Sequence, residues 1–404
     1  MERLVSLLGL FVMISIAYAF SDKRKNIQWR TVISGVVLQI IFGLLILKTQ
    51  IGKDFFAGAS KMFEGILAYT HEGAKFVFGS LADADSFGFI FATMVLPTII
   101  FMSSLMSVLY HIGVMQKVVE VFAKVMMKVM KTSGSESLAA AANIFVGQTE
   151  APLVIKPYVQ TMTRSEIMCL MTGGMATVAG GVLAAYVGFG IDAGHLLAAS
   201  VMSAPAAIVC AKLLVPEQED SPTAGVVKVD LPKRSANVID AAADGASDGL
   251  KLAANVAAML LAFIALIAML NGVLGWVGGL IGFPQLSFEL IMGYINAPIA
   301  WLLGVPWEDC LQVGSMLGKK LVLNEFVAYL DLTKSVGQLS ERSVVLTTYA
   351  LCGFANFSSI AIQLGGIGTL APNKRETLAR LGLRSLLGGT LACYMTACIA
   401  GLFI

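Results

Sequence analysis

Charge is the scarcest property of this 404-residue sequence: Asp, Glu, Lys and Arg together make up 13% against 57% hydrophobic residues. A mean hydropathy of +0.80 is more than a water-exposed globular surface accommodates, so the solvent of the fold is lipid. A basic excess is also lacking. With 28 basic and 26 acidic residues the net charge is only +2, which excludes nucleic acid as a partner because counterion release has nothing to act on. Paired cysteines are missing too: Cys169, Cys210, Cys310, Cys352, Cys393 and Cys398 stand singly in apolar stretches, without CxxC or metal-ligand spacing, and read as small buried hydrophobes. His71, His111 and His195 are equally isolated. No zinc site and no Ser-His-Asp arrangement can be built from them, which leaves redox and hydrolytic chemistry without support.

What the sequence has instead is long uncharged runs. Segments able to cross roughly 30 Å of hydrocarbon occur at Phe87–Tyr110, Ile167–Gly190, Leu252–Leu286, Ser343–Asn373 and Ser385–Ile404, with three more at Leu4–Phe20, Thr31–Leu47 and Ala193–Val215. The expectation is an all-α polytopic membrane protein of about eight spans. The first run ends in Ala17-Tyr18-Ala19, which looks like a signal-peptidase site. Its positive charges, Lys23, Arg24, Lys25 and Arg30, follow the apolar core, however, which predicts a retained span with its N-terminus outside. Lys117, Lys124, Lys128 and Lys131 after the third span, and Lys374, Arg375, Arg380 and Arg384 before the last, fall inside in the same frame, returning the C-terminus outside. The polar stretch Glu217–Lys251, with Lys228, Lys233 and Arg234, reads as an inner surface linker. Gly52–Ser80 sets Phe55, Phe56, Ala59, Met62, Phe63 and Ile66 at helical spacing against Lys53, Asp54, Lys61 and Glu64, the pattern of an interfacial helix. Val114–Lys131 alternates Val, Phe and Met with lysines, which suits either a membrane surface or packing on neighbouring helices.

Two places break the pattern of simple spans. Ser137–Gly147 as a helix is only about 16 Å long, half a membrane, and is followed by the polar knot Gln148-Thr149-Glu150 and by Pro152, a first-turn residue. This predicts a re-entrant helical hairpin whose tip lies near the midplane, where irregular backbone is tolerated only against protein or a water-filled cavity. Trp307–Leu332, interrupted by Asn324-Glu325-Phe326, is a second candidate, in which Lys319 and Lys320 leave a plain ion pair open for Glu325. Each hairpin precedes a span broken in its middle, at Gly173–Gly181 and at Cys352–Ser359. Entry from opposite sides makes this an inverted repeat with the ligand site where the halves meet.

A carboxylate near mid-bilayer costs a few kcal/mol unless paired, hydrated or protonated. Glu150, with Gln148 and Thr149 beside it, therefore reads as a binding turn able to meet a nucleobase edge, or alternatively as a helix cap or structural ion pair. Asn356 and Ser359 stand at i and i+3 and could share the hydroxyls of a sugar, or simply join helices. Phe354 could stack on a base or pack. Asn143 and Thr177 offer hard oxygens which, with carbonyls at the breaks, would suit a small cation. An intramembrane enzyme with Glu150 or Glu325 as acid or base and Ser359 as nucleophile lacks a histidine or lysine to activate the serine. A passive channel fits midplane hairpins less well than alternating access does.

The strings GQTEAPL at Gly147–Leu153, NEF at Asn324–Phe326 and ALCGFANFSSIAIQLGG at Ala350–Gly366 resemble those of the concentrative nucleoside transporters, in particular the bacterial branch, and their order matches over essentially the whole chain. The resemblance implies a homotrimer in a bacterial inner membrane, importing nucleosides such as uridine, cytidine and adenosine by an elevator-like movement, with no cofactor beyond the coupling ion. That ion is sodium, although some bacterial members use protons. It also implies scaffold segments at 1–112 and 251–286 and transport-domain halves at 113–215 and 287–404, joined by a linker at 216–250. The hairpins would lie at about 136–160 and 306–335, the broken helices at about 166–190 and 344–368. Carried over by motif, Gln148, Thr149 and Glu150 would contact the nucleobase and Glu325, Asn356 and Ser359 the ribose, with Phe354 and Val182 lining the pocket. Sodium would be held by the Asn143 and Thr177 side chains with the carbonyls of Val146 and Ala179; threonine at 177, where serine also serves, keeps the hydroxyl.

Overall fold

Helices form wherever the apolar runs predict them, and several of them open at a side-chain cap. The computed structural model describes residues 1–225 and 235–404; Lys228, Lys233 and Arg234 of the polar linker lie outside them. Among the described residues every regular element is helical. The chain begins with α1 (Glu2–Ala19), α2 (Trp29–Leu47) and the amphipathic α3 (Gln50–Phe78), which Thr49 caps by accepting the Gly52 amide at 3.0 Å. Two single turns, α4 (Ala84–Phe87) and α5 (Phe91–Met94), lead into α6 (Leu96–His111) and α7 (Val114–Met130). The run that resembles a signal peptide is built into the fold: Gly9 of α1 lies so close to the Leu302 carbonyl that a Cβ has no room, and the Ser6 hydroxyl donates to the Leu303 carbonyl at 2.9 Å.

The first hairpin is α8 (Gly134–Asn143), a tip, and two short turns, α9 (Ala151–Val154) and α10 (Lys156–Val159); Pro152 and Pro157 each sit in a first turn. The broken helix after it is α11 (Arg164–Ala176) and α12 (Gly180–Gly188), followed by α13 (Ala193–Leu214). Next comes α14 (Val238–Leu280), 43 residues and so about 65 Å long. The polar stretch read as linker up to Lys251 is therefore helical from Val238 onward, because the Asn237 side chain accepts the Asp240 amide at 2.9 Å and opens the helix early. A helix not anticipated from the sequence, α15 (Phe288–Leu303), precedes the second hairpin; Glu289, Asn296 and an internal Pro298 disguise its apolar face. That hairpin is α16 (Cys310–Val322) and α17 (Glu325–Ser335), its broken helix α18 (Glu341–Leu351) and α19 (Phe357–Leu370), and α20 (Arg375–Phe403) closes the chain.

Seven described helices are long and apolar enough to cross a membrane. The eighth predicted span, Ser343–Asn373, is present as α18 and α19, separated by five non-helical residues, 352–356. Burial divides the set. The apolar windows of α11–α12 and α13 are 94% and 89% buried, whereas that of α14 is 11% buried. Helices apolar all round thus form the centre, and α14 leaves most of its apolar surface exposed.

Both hairpins are fastened at the base by a carboxylate. Ser133 caps α8 and Thr163 caps α11, each in a reciprocal capping box with Glu136 or Glu166. Glu166 also accepts from the Ser133 and Ser135 hydroxyls, joining hairpin to helix. Lys212 of α13 enters from the side, 2.6 Å from Glu136 and 3.0 Å from the Ser165 hydroxyl. In the second half the carboxylate sits on the hairpin side. Asp309 accepts from the Ser340 amide at 3.1 Å and from the Ser340 and Ser343 hydroxyls at 2.8 and 2.6 Å. Burial disfavours its charge, but these three donors outweigh burial and hold the Asp309 carboxyl below the usual carboxylate range.

Because Lys212 and Glu136 are both buried, Lys212→Ala leaves a carboxylate without its cation and is expected to destabilise the fold by about 3 kcal/mol. Thermal unfolding in detergent should show a lowered Tm, with part of the loss recovered when Glu136→Gln is added.

Candidate functional site

The interrupted helices break where they face one another. The Gly180 amide at the end of the first break donates to the Phe145 carbonyl in the tip of the first hairpin at 3.1 Å. The Phe354 amide in the second break donates to the Thr177 carbonyl in the first at 3.3 Å. Gly353 makes this approach possible: its φ is +156°, and a Cβ there would lie 2.6 Å from Cys393 Sγ and 2.9 Å from the Ala176 carbonyl. Cys393 and Cys352, like the other four cysteines, are buried and free, as small apolar fillers should be.

Around these breaks runs a chain of hydrogen bonds that crosses from one half to the other. Gln148 Nε2, in the first tip, donates to Ser359 Oγ of α19 at 3.0 Å. The Ser359 amide donates to Asn356 Oδ1 at 3.0 Å, and Asn356 Nδ2 donates to Glu325 Oε2, in the second tip, at 3.1 Å. Tyr186 Oη of α12 donates to Glu325 Oε1 at 2.9 Å. Each tip thus meets the broken helix of the other half. Glu325 is 4% exposed and has a donor on each oxygen, worth about 1.5–3 kcal/mol per bond to a charged group. Among the described residues neither nearby lysine pairs with it: Lys319 binds Glu289 at 3.0 Å and also Asp331, while Lys320 donates to the Ala350 carbonyl at 2.8 Å. Asn324 acts as a helix cap, accepting the Val327 amide at 3.0 Å.

Glu150 occupies the cap position of α9 without a side-chain cap bond, and its side chain, like that of Thr149, is exposed. The carboxylate folds back over Gly147, where a Cβ would be 2.5 Å from Glu150 Oε2. Thr149 Cγ2 lies 3.5 Å from the Cβ position of Gly366 on α19, so the first tip meets this helix twice. Val182 is buried one turn before Tyr186 on the same face of α12, and Phe354 is half-buried against the core. Ser359 receives its bond from an amide, which cannot serve as a general base.

Asn143 is buried to 1% exposure, yet among the described residues neither Oδ1 nor Nδ2 has a hydrogen-bond partner. A buried amide left this way costs about 1–3 kcal/mol. It lies against the backbone of α11, with Nδ2 2.9 Å from the Cβ position of Gly173, and Thr177 Oγ1 donates to the Gly173 carbonyl at 2.9 Å. Val146 and Ala179 flank the bond between Phe145 and Gly180 by one residue each. Orphaned amide, hydroxyl and unwound backbone are the donor set a small hard cation takes.

Sequence reasoning missed two members, Tyr186 and Gln363. Gln363 Nε2 donates to Gln148 Oε1 and to the Met171 carbonyl, both at 3.0 Å. Its signal was present: it follows Ser359 by four residues and Asn356 by seven, one helix face. Tyr186 stands four residues after Val182 in the same way.

Comparison with known proteins yields three family matches: residues 8–81 to the Na+ dependent nucleoside transporter N-terminus, residues 92–193 to the nucleoside recognition family, and residues 195–401 to the Na+ dependent nucleoside transporter C-terminus. An uncharacterized transporter of Bacillus subtilis (strain 168) is 50% identical over the full length of both chains. Sodium/nucleoside cotransporter 1 of Homo sapiens is 45% identical over 99% of this chain, which spans 64% of that protein. The structure of CNTnw in an inward-facing substrate-bound state superposes with a TM-score of 0.94 at 46% identity, covering 100% of this chain and 98% of that one. A CNTnw variant in an outward-facing state gives 0.95 at the same identity and coverage.

Gly147→Ala places a methyl against the Glu150 carboxylate and Ala179. The tip is expected to shift at a cost of about 1–3 kcal/mol, read as a lowered Tm in thermal unfolding of the purified protein, without loss of the folded state at room temperature.

Proposed function

This chain belongs to the concentrative nucleoside transporter family, and on that premise we propose that it imports nucleosides by sodium symport, carrying them in the site between the hairpin tips by an elevator movement. It is a nucleoside transporter, not an enzyme. The observation that carries the proposal is the hydrogen-bond chain Gln148–Ser359–Asn356–Glu325–Tyr186, which links each hairpin tip to the opposite half.

In this reading Gln148, Thr149 and Glu150 meet the nucleobase, and Glu325, Asn356 and Ser359 the ribose hydroxyls. Val182 and Phe354 are walls. A ribose hydroxyl can donate to Glu325 while accepting from Asn356, so the sugar would replace internal bonds with equivalent ones and little desolvation penalty would remain. Sodium would sit at Asn143 Oδ1 and Thr177 Oγ1 with the carbonyls of Val146 and Ala179. Asn143 closes α8 just before the tip, so a cation there would order the segment that carries Gln148 to Glu150. Ion and substrate affinity must then rise together, reciprocally. The orphaned Asn143 amide supports sodium over a proton, because a neutral amide does not titrate.

The site would move with the buried helices α11–α13 and α20, while the exposed apolar face of α14 would stay with lipid and with the other copies of a homotrimer. The charge pattern supports a multi-pass inner-membrane protein with both termini outside.

Liposome-reconstituted protein is expected to accumulate labelled uridine under an inward sodium gradient and not under a proton gradient alone; the reverse result makes the proton the coupling ion. Asn143→Ala should raise the half-saturating sodium concentration about tenfold or more with uridine KM at saturating sodium nearly unchanged. For the ribose contacts, Glu325→Ala or Asn356→Ala is expected to cut uptake roughly 100-fold while size-exclusion elution stays native; wild-type uptake in either variant rules the assignment out.

A further inference from the structure

We infer that Gln363 is a positioning residue that sets the direction of the Gln148 amide, so that Gln148 offers the nucleobase a hydrogen-bond donor and not an acceptor. The inference rests on the reading that Gln148 meets the base, and deepens it to a statement about which bases fit.

Direction enters at a backbone carbonyl. The Met171 carbonyl can only accept, so the amide group of Gln363 facing it at 3.0 Å must be the amino end. The second proton of that amino group goes to Gln148 at 3.0 Å, where it needs an oxygen, and this sends the Gln148 amino group to Ser359 Oγ at 3.0 Å. Reversing Gln363 would set its oxygen against the Met171 carbonyl. Reversing Gln148 alone would point two amino groups at each other. The orientation of both side chains therefore follows from one main-chain oxygen.

Two further observations show that this arrangement is built. Gln363 is 1% exposed, and among the described residues its own Oε1 is buried without a partner, which the fold tolerates in order to aim both amino protons. Gly174 leaves the space: a Cβ there would come within 2.8 Å of both Gln363 Nε2 and Gln148 Cβ. The consequence runs outward. One Gln148 amino proton is held by Ser359 and the other is free for a carbonyl or ring-nitrogen acceptor on the base. Ser359, having accepted, has its hydroxyl proton free to donate to a sugar oxygen. Base and sugar contacts then belong to one directed chain anchored at Met171, and nucleosides lacking the matching acceptor are discriminated against.

The test measures uptake KM and kcat in proteoliposomes for uridine, for its analogue without the 4-oxygen (zebularine) and for 2-thiouridine, whose sulfur is a weak acceptor. In the native protein at least one analogue should have a KM about tenfold above uridine. Gln148→Ala should bring that ratio to within about twofold; if it keeps the native ratio, Gln148 does not meet the base and the underlying reading fails. Gln363→Leu, which lets the Gln148 amide turn either way, should also bring the ratio to within about twofold, a change in the analogue-to-uridine ratio that general loosening of the fold would not produce. The near-isosteric Gln363→Glu removes the donors, turns the Gln148 oxygen toward the pocket and should lose the same preference, which guards against a folding defect in the leucine variant. A native ratio retained in Gln363→Leu and Gln363→Glu but lost in Gln148→Ala overturns the inference and leaves the reading of Gln148 intact. A native ratio near one for both analogues overturns it as well.

Discussion

Backbone that leaves the helix inside an apolar core must find new hydrogen-bond partners, and at two places here the partner is other backbone that has done the same. The Phe145 carbonyl takes the Gly180 amide, and the Thr177 carbonyl takes the Phe354 amide. These two bonds tie the tip of the first hairpin to the first break and the first break to the second. Neither break is tolerable alone, since an unpaired peptide group away from water costs several kcal/mol. The interruptions therefore come as a set, and everything polar in the centre of the molecule is arranged around them.

Glycine supplies the room this set requires. At Gly353 the backbone passes against Ala176 with no space for a side chain, and at Gly173 and Gly174 the surface of α11 admits Asn143, Gln148 and Gln363. The polar side chains then do what the backbone did and reach across to the other half. Because the two tips bind each other's broken helices, neither half holds a complete set of contacts. The fastening of each hairpin at its base, by Glu166 in one half and Asp309 in the other, keeps the arms in place.

Much of this could be read from residue order. The apolar runs located the spans because 3.6-residue periodicity and the thickness of a bilayer leave few alternatives, and the polar knots Gln148–Glu150 and Asn324–Phe326 stood out against them. The failures have local causes. α15 was hidden by Glu289, whose charge meets Lys319 and the Asn271 amide, and by a proline inside the helix. The start of α14 was hidden because Asp240, Asp244 and Asp248 look like linker until Asn237 caps them into a helix. Tyr186 and Gln363 were passed over because a single tyrosine or glutamine in an apolar helix has an ordinary packing role more often than not.

The sequence by itself determined that the chain dissolves in lipid, that its acidic turns fall in two half-length hairpins, and which family it resembles. These are consequences of composition, spacing and motif, which need no third dimension. Only the tertiary structure decided who meets whom: that Glu325 is held by Tyr186 and Asn356 and not by the adjacent lysines, that Asn143 is left without a partner among the described residues, and that Met171 orients Gln148 through Gln363. The physical reason is that hydrogen bonds act over about 3 Å, whereas the partners here are separated by up to 215 positions along the chain.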